Sequence, residues 1–106
     1  MGFNGYVNSD SGITSVQIYG VEDLTVPQRY AKAISAGTDV IGGNSDSENI
    51  VKAVEEGWLP KEDLDRANYN RLVSLFQVGR VDNPYLDPDQ ADKVREENFE
   101  NAKKAA

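Results

Sequence analysis

The chain has 106 residues, enough for one small domain or for part of a larger one. It carries 18 acidic and 11 basic side chains, a formal net charge of −7, and this balance disfavours nucleic-acid binding, which needs a basic stripe to displace counterions. It contains neither cysteine nor histidine, which excludes disulfides, thiolate metal sites and histidine-based catalytic triads. Any acid–base or nucleophilic chemistry must therefore use carboxylates, lysine, tyrosine or hydroxyl groups.

Membrane and export signals are not expected in this sequence. No apolar run approaches the roughly 20 residues that span a bilayer. The N-terminus, Met1-Gly2-Phe3-Asn4, lacks a basic region followed by an apolar core, so no signal peptide is predicted. We therefore expect no membrane partner, and the compartment stays open.

The first part of the chain predicts a strand, a loop and a helix. Residues 3–8 favour a short strand, and residues 11–23 form a polar loop punctuated by glycine. A helix then begins at Thr25, which forms a capping box with Gln28, and it ends at Gly37. Its apolar residues recur at helical spacing, so one side of this helix is predicted to face a core.

A second short strand, 38–43, is followed by two helices. The polar loop 44–47 offers caps for the first helix, which ends at Gly57. Pro60 begins the longest helix, and Gly79 ends it. One face of this helix is apolar and consists of Leu64, Ala67, Leu72, Leu75 and Phe76. The helical spacing of Tyr69, Leu72, Leu75 and Phe76 predicts that they belong to the core.

The C-terminal part predicts a connector and a charged helix. Residues 82–89 contain two prolines, and the motif Asp87-Pro88-Asp89-Gln90 caps a helix that continues to Ala106.

Strands that alternate with helices predict an α/β fold, in which parallel strands are joined by helical crossovers and ligands meet their carboxyl ends. Asp10 follows the first predicted strand, and residues 42–46 follow the second. Two strands alone cannot complete a sheet, because parallel pairs occur almost only when both faces are covered. The pattern therefore indicates part of a larger architecture.

Four motifs, in order along the chain, resemble the closing part of the catalytic barrel of glycoside hydrolase family 3. The resemblance covers almost the whole chain and comprises a nucleophile strand, an AG-x-D strand, an LD-A-x-x-R-L helix and an NPY-x-D exit. The segments that carry it are "GFNGYVNSDSGI", "YGVEDLTVPQRYAKAISAGTDVI" and "ENIVKAVEEGWLPKEDLDRANYNRLVSLFQVGRVDNPYLDP".

The resemblance implies the last two βα units of a TIM barrel plus C-terminal helices, an incomplete and helix-rich α/β fold. Residues 1–81 would then be the C-terminal portion of a (β/α)8 catalytic domain, and residues 82–106 an exit connector and charged linker helix. The family's helical exit leads into a second domain, so the chain resembles a fragment of the enzyme.

The resemblance also implies a role for Asp10. The aspartate of the family's "SD" motif is the nucleophile of a retaining β-glycosidase, and it forms a glycosyl-enzyme ester that water hydrolyses. Ser11 stands where many members carry a tryptophan that shapes the sugar subsite, which makes it a candidate substrate-binding residue. The acid/base in this family comes from a loop or a following domain, and the chemistry requires no metal or organic cofactor. The implied partner is a β-glycoside with a terminal β-linked sugar.

Two other interpretations stand beside this one. Asp10 also fits an ordinary turn aspartate at a strand end. The chain also fits a catalytically silent α/β fragment that self-associates through exposed strand edges.

The remaining polar and aromatic candidates have structural explanations. Asp39 is expected to be a hydrogen-bonding residue of the second strand, and residues 44–46 are expected to cap a helix. Trp58 suggests a sugar platform, but its place at the far end of its helix favours packing. Glu55-Glu56 and Glu96-Glu97 point apart on their helices and are predicted to face solvent.

Overall fold

A computed structural model describes residues 2–16, 18–85 and 87–105. Four α-helices account for most of these residues. They are α1 (Val26–Ser35), α2 (Ser47–Glu55), α3 (Lys61–Gln77) and α4 (Pro88–Ala105). The chain divides into two compact units, Met1–Ser74 and Leu75–Ala106.

The predicted α/β fold, with the last two βα units of a TIM barrel, is wrong for the described residues, which contain four helices and no strand. The two segments predicted as strands, 3–8 and 38–43, form one isolated parallel bridge, between Asn8 and Val40, and no regular ladder. A strand needs a ladder of backbone partners, and the described residues supply one rung. The predicted self-association through exposed strand edges is not supported either, because the described residues do not form those edges.

Unit 1 is built around α1 and α2, which pack against each other. Its core contains Ala31, Ile34, Ala53, Leu59 and Ala67, all with less than a twentieth of their surface exposed. Ile41, Ile50, Val54 and Leu64 pack around them. Three of these five core residues are alanines, so the core is small.

Helix α1 begins and ends as its sequence predicts. Thr25 is the N-cap, and the reciprocal bonds of the capping box with Gln28 are both present. Gly37 follows the C-cap with φ +111°, a left-handed conformation that glycine adopts without steric cost.

Helix α3 is attached to α1 by polar contacts. The hydroxyl of Ser35 donates to Asp63, and the guanidinium of Arg66 donates to the carbonyl oxygen of Ile34. Both bonds join the C-terminal end of α1 to the first half of α3, and the Ile34 carbonyl oxygen also accepts from the backbone N–H of Gly37.

The apolar face predicted for α3 is only partly buried. Ala67 is buried and Leu64 packs on the core, as predicted. Tyr69, Leu72 and Phe76 are 68%, 51% and 58% exposed, so their assignment to the core is wrong. Periodicity identifies an apolar face, but it does not show that another element covers it.

Unit 2 contains the end of α3, the connector and α4. Gly79 follows α3 in a left-handed conformation, and the backbone N–H of Asp89 donates to the Asp87 carboxylate at 3.0 Å, as the predicted cap requires. Helix α4 has no buried residue among those described. Within the described ranges, no helix combines the length and apolar character needed to cross a membrane.

Candidate active site

Asp10 follows a segment that is held against a distant part of the chain. The backbone N–H of Ser9 donates to the carbonyl oxygen of Val40 at 2.9 Å. The N–H groups of Asp39 and Val40 both donate to the carbonyl oxygen of Val7, at 2.9 and 3.0 Å. Three backbone bonds therefore fix the chain directly before Asp10, although no regular strand is formed.

The hydroxyl of Ser9 joins the two segments at the position of Asp10. It accepts a hydrogen bond from the backbone N–H of Gly42 at 2.9 Å and donates to the carbonyl oxygen of Asp10 at 2.8 Å. Gly42 is buried, and a Cβ atom at this position would overlap the carbonyl oxygen of Ser9. Glycine is needed here because the two backbones approach closely.

The carboxylate of Asp10 is exposed at the end of this fixed segment. Its Oδ1 accepts a hydrogen bond from the backbone N–H of Ser11 at 2.7 Å. The side chain of Ser11 lies against Gly43, whose φ of +68° and lack of Cβ leave room for it. Asp10 and Ser11 are neighbours in the sequence, and the structure brings the glycine pair Gly42-Gly43 against them.

Asp39 is the buried anchor of the same region. Its side chain is 2% exposed, and its Oδ2 accepts from the backbone N–H of Val7 at 2.8 Å. Its Oδ1 accepts from the Asn70 amide at 3.1 Å and lies 3.8 Å from Nε of Arg66. The expected structural role of Asp39 is confirmed, with segments from three parts of unit 1 meeting at one carboxylate.

Arg29 of α1 forms hydrogen bonds to three carbonyl oxygens of the loop after Asp10. Its guanidinium donates to the carbonyl oxygens of Thr14, Val21 and Glu22 at 3.1, 3.1 and 3.0 Å. Thr14 is buried beneath the loop. Backbone N–H groups of Glu22 and Gly20, together with the charge of Arg29, lower the pKa of the Glu22 carboxyl.

The polar loop 44–47 does not cap α2 as predicted. Asp46 occupies the N-cap position, but its side chain makes no capping bond to the backbone and accepts from the amide of Asn49 instead. The Asn44 Oδ1 accepts from the backbone N–H of Asp46 at 2.8 Å. The loop therefore bonds to itself, and Asp46 gives α2 no side-chain cap.

Trp58 is 53% exposed and lies beside Leu24, Gln28 and Lys32 along a separate cavity of about 240 Å³. The glutamate pairs Glu55-Glu56 and Glu96-Glu97 are all exposed, as predicted. Across the described part of the chain, no cluster of three acidic side chains could hold a metal ion. Asp10 and Ser11 stay a prediction from the sequence motif.

Comparison with known proteins finds relatives along most of the chain. It is 34% identical over 104 residues to "Probable beta-glucosidase C" of Aspergillus flavus, an alignment covering 89% of the chain and 16% of that protein. It is 40% identical over 76 residues to "Periplasmic beta-glucosidase/beta-xylosidase" of Dickeya chrysanthemi, covering 72% of the chain and 12% of the relative.

A plant relative, "Probable beta-D-xylosidase 6" of Arabidopsis thaliana, is 29% identical over 82 residues, or 76% of the chain and 10% of its own length. No protein-family model matches the chain. The chain therefore spans less than a fifth of the length of these curated relatives. The predicted resemblance to β-glucosidases of glycoside hydrolase family 3 is confirmed over most of the chain's own length.

Proposed function

We propose, from the premise that this chain belongs to the β-glucosidase-like proteins of glycoside hydrolase family 3, that Asp10 is the nucleophile of a retaining β-glycosidase. The observation that carries the proposal is the 34–40% identity to proteins named β-glucosidase over 72–89% of the chain. The substrate would be a terminal β-linked glucoside or xyloside, since these are the sugars that the names of the relatives state.

The geometry around Asp10 supports a nucleophile. A nucleophilic carboxylate must be held still, and it must be reachable by the anomeric carbon. The bonds from Ser9 to Val40 and Gly42 restrain the backbone before Asp10, while its side chain is exposed. The bond from the Ser11 N–H to Oδ1 orients the carboxylate.

In the proposed reaction, a carboxylate oxygen of Asp10 attacks the anomeric carbon as the bond to the leaving-group oxygen breaks. The leaving group takes its proton from a second carboxyl group, which the family resemblance assigns to a loop or domain outside these 106 residues. Water then hydrolyses the glycosyl ester, and the second carboxyl group removes its proton. Ser11, beside Asp10, would contact the sugar ring whose anomeric carbon is attacked.

The test uses the longer protein that contains this segment and a 2-deoxy-2-fluoro aryl β-glucoside, which slows hydrolysis of the ester. We expect one fluoroglycosyl group on the peptide that contains Asp10, detected by mass spectrometry, and none on Asp10→Asn. Asp10→Asn should lower kcat at least about 10³-fold, because covalent catalysis is lost. Unchanged turnover, or label on another carboxylate, would contradict the assignment of Asp10 as the nucleophile.

The alternative is that the isolated chain is catalytically silent. An assay of aryl β-glucoside hydrolysis by the purified 106-residue chain distinguishes a silent chain from an active one. We expect no turnover, because the acid/base is proposed to lie elsewhere. Turnover that Asp10→Asn abolishes would show that a second carboxyl group within this chain completes the site.

A further inference from the structure

The loop after Asp10 is attached to helix α1 by the side chain of Arg29. The described residues of this loop form turns and short irregular stretches, and its backbone bonds are local. The N–H groups of Ser15 and Val16, for example, donate to the carbonyl oxygen of Gly12 at 3.1 and 2.7 Å. Such bonds give a turn its shape, but they do not fix its place on the rest of the protein. The contacts of Arg29 do fix it.

All three guanidinium nitrogens of Arg29 donate to this loop. Nε donates to the carbonyl oxygen of Val21 at 3.1 Å, and the terminal nitrogens donate to those of Thr14 and Glu22 at 3.1 and 3.0 Å. Thr14 and Val21 are seven positions apart in the sequence, and one rigid, planar group joins them. The base of the loop is therefore closed, as in compact surface loops whose two ends lie close together.

The burial of the side chains agrees with this arrangement. Thr14 is 2% exposed and Arg29 is half-buried, so the base of the loop is packed against the protein. Val16 and Tyr19, which lie between the bonded points, are 79% and 89% exposed. Side chains this exposed add little packing that could hold the loop. The position of the loop therefore depends on its base, where the guanidinium lies.

The base of the loop is close to Asp10 along the chain. Thr14 lies four positions after Asp10, and the intervening Ser11 donates its backbone N–H to Oδ1 of Asp10 at 2.7 Å. On the other side, the backbone bond from Ser9 to a distant segment fixes the chain directly before Asp10. Asp10 therefore lies between two fixed points, and Arg29 supplies the second.

We infer that Arg29 is a positioning residue for the nucleophile: by closing the base of the loop, it keeps the Asp10 carboxylate and the Ser11 N–H in the geometry that attack requires. The inference rests on the proposed function, because it takes Asp10 as the nucleophile. Arg29 acts through the loop and is not proposed to contact the sugar. The sequence does not reveal this role, since the bonded carbonyl groups belong to residues that only the fold brings to Arg29.

The experiment compares Arg29→Gln with the unsubstituted longer protein that contains this segment. In aryl β-glucoside hydrolysis, kcat should fall about 10- to 100-fold, the effect of a displacement on the order of 1 Å at the reacting group. KM should change less than about threefold, because binding of the sugar does not depend on the angle of attack. The rate constant for labelling of Asp10 by a saturating 2-deoxy-2-fluoro aryl β-glucoside should fall by the same factor as kcat.

Two further variants distinguish positioning from charge and from stability. Arg29→Lys keeps the charge but lacks the planar fork that reaches three carbonyl groups, so its kcat should fall at least about threefold. It also gives an independent result if Arg29→Gln fails to fold. Thr25→Ala weakens the same helix without removing the guanidinium, and it should keep kcat within about twofold of the unsubstituted protein. Full activity in Arg29→Lys, or an equal loss in Thr25→Ala, would overturn the inference.

The labelling results separate this inference from the proposed function. Label on Asp10 at an unchanged rate in Arg29→Gln overturns the positioning role alone, whereas label on another carboxylate contradicts the nucleophile assignment and the inference with it. Hydrogen exchange in the 106-residue chain tests the loop directly. The amides of Val16 and Val21 should exchange at least about tenfold faster in Arg29→Gln and at an unchanged rate in Thr25→Ala. Unchanged exchange in Arg29→Gln would show that the guanidinium does not hold the loop.

Discussion

The segments around Asp10 and helix α4 are held in place by different kinds of interaction. The segment before Asp10 is held by bonds between residues about thirty positions apart, from Val7 and Ser9 to Asp39, Val40 and Gly42. In α4 the ion pairs join neighbours on the same helix, Arg95 with Asp92 at 3.2 Å and Lys103 with Glu100 at 3.0 Å.

This difference shows where a chemical group can be positioned. A carboxylate fixed by distant parts of the chain keeps its place relative to other groups, whereas a helix held only by its own turns positions nothing beyond itself. The Lys103 ammonium even lies 4.6 Å from the centre of its own helix's Phe99 ring. This difference is consistent with our proposal that the functional site lies in unit 1.

The largest effect is expected from Asp39→Ala. This change leaves the Val7 N–H, the Asn70 amide and Arg66 without their common buried acceptor, and we expect it to lower the free energy of unfolding by about 3 kcal/mol. Urea denaturation followed by circular dichroism measures the loss. The matched control is Asp92→Ala in α4, which removes an exposed ion pair and should cost under about 0.5 kcal/mol. Equal losses would erase the distinction between the two regions.

Gly42→Ala should have the next largest effect. The added methyl group overlaps the carbonyl oxygen of Ser9, so the segment carrying Asp10 must shift, at an expected cost of about 2 kcal/mol. Gly37→Ala is the control, because Gly37 has open space but a φ of +111° and so reports backbone strain alone, about 1 kcal/mol. Faster hydrogen exchange of the Ser9 amide should appear only in Gly42→Ala. Unchanged exchange there would contradict the proposed contact.

The parts of the fold that the sequence predicts well are determined by neighbours along the chain. The capping box of Thr25 and Gln28, the glycine after α1 and the cap at Asp87 all involve residues within four positions of one another. The strands at 3–8 and 38–43 were predicted from similar local preferences, and they are absent because a strand depends on partners elsewhere. The exposed faces of Tyr69 and Leu72 have the same explanation.

The candidate site likewise combines residues that the sequence identifies with contacts that only the structure shows. Asp10 and Ser11 were identifiable from the "NSDSG" motif and its resemblance to a family, and Asp39 from its place in a second motif. The bond between the Ser9 hydroxyl and Gly42 was not, since it joins residues that only the folded backbone brings together.

Thr25→Ala should have a moderate effect. It removes the side-chain half of the capping box, and we expect the free energy of unfolding to fall by about 1 kcal/mol. Asp87→Ala makes the equivalent change before α4 and should lower helix content without altering the cooperative unfolding of unit 1. Thermal denaturation followed by circular dichroism and by tyrosine and tryptophan absorbance compares the two. A larger loss of cooperative stability from Asp87→Ala would reverse our ranking of the regions.

The smallest effect is expected from acid titration of Glu22. Its pKa is lowered by backbone N–H groups of Glu22 and Gly20 and by Arg29, so the folded state favours the charged form. The resulting stabilisation is present above the unfolded pKa of about 4.5 and is lost as the pH falls through the lower folded value. Glu22→Gln should therefore flatten the dependence of the unfolding midpoint on pH below about 4.5, whereas Glu96→Gln in α4, chosen as an exposed control, should leave it unchanged. If the pH dependence flattens in both variants, the loop bound by Arg29 contributes no more to acid stability than the exposed surface of α4.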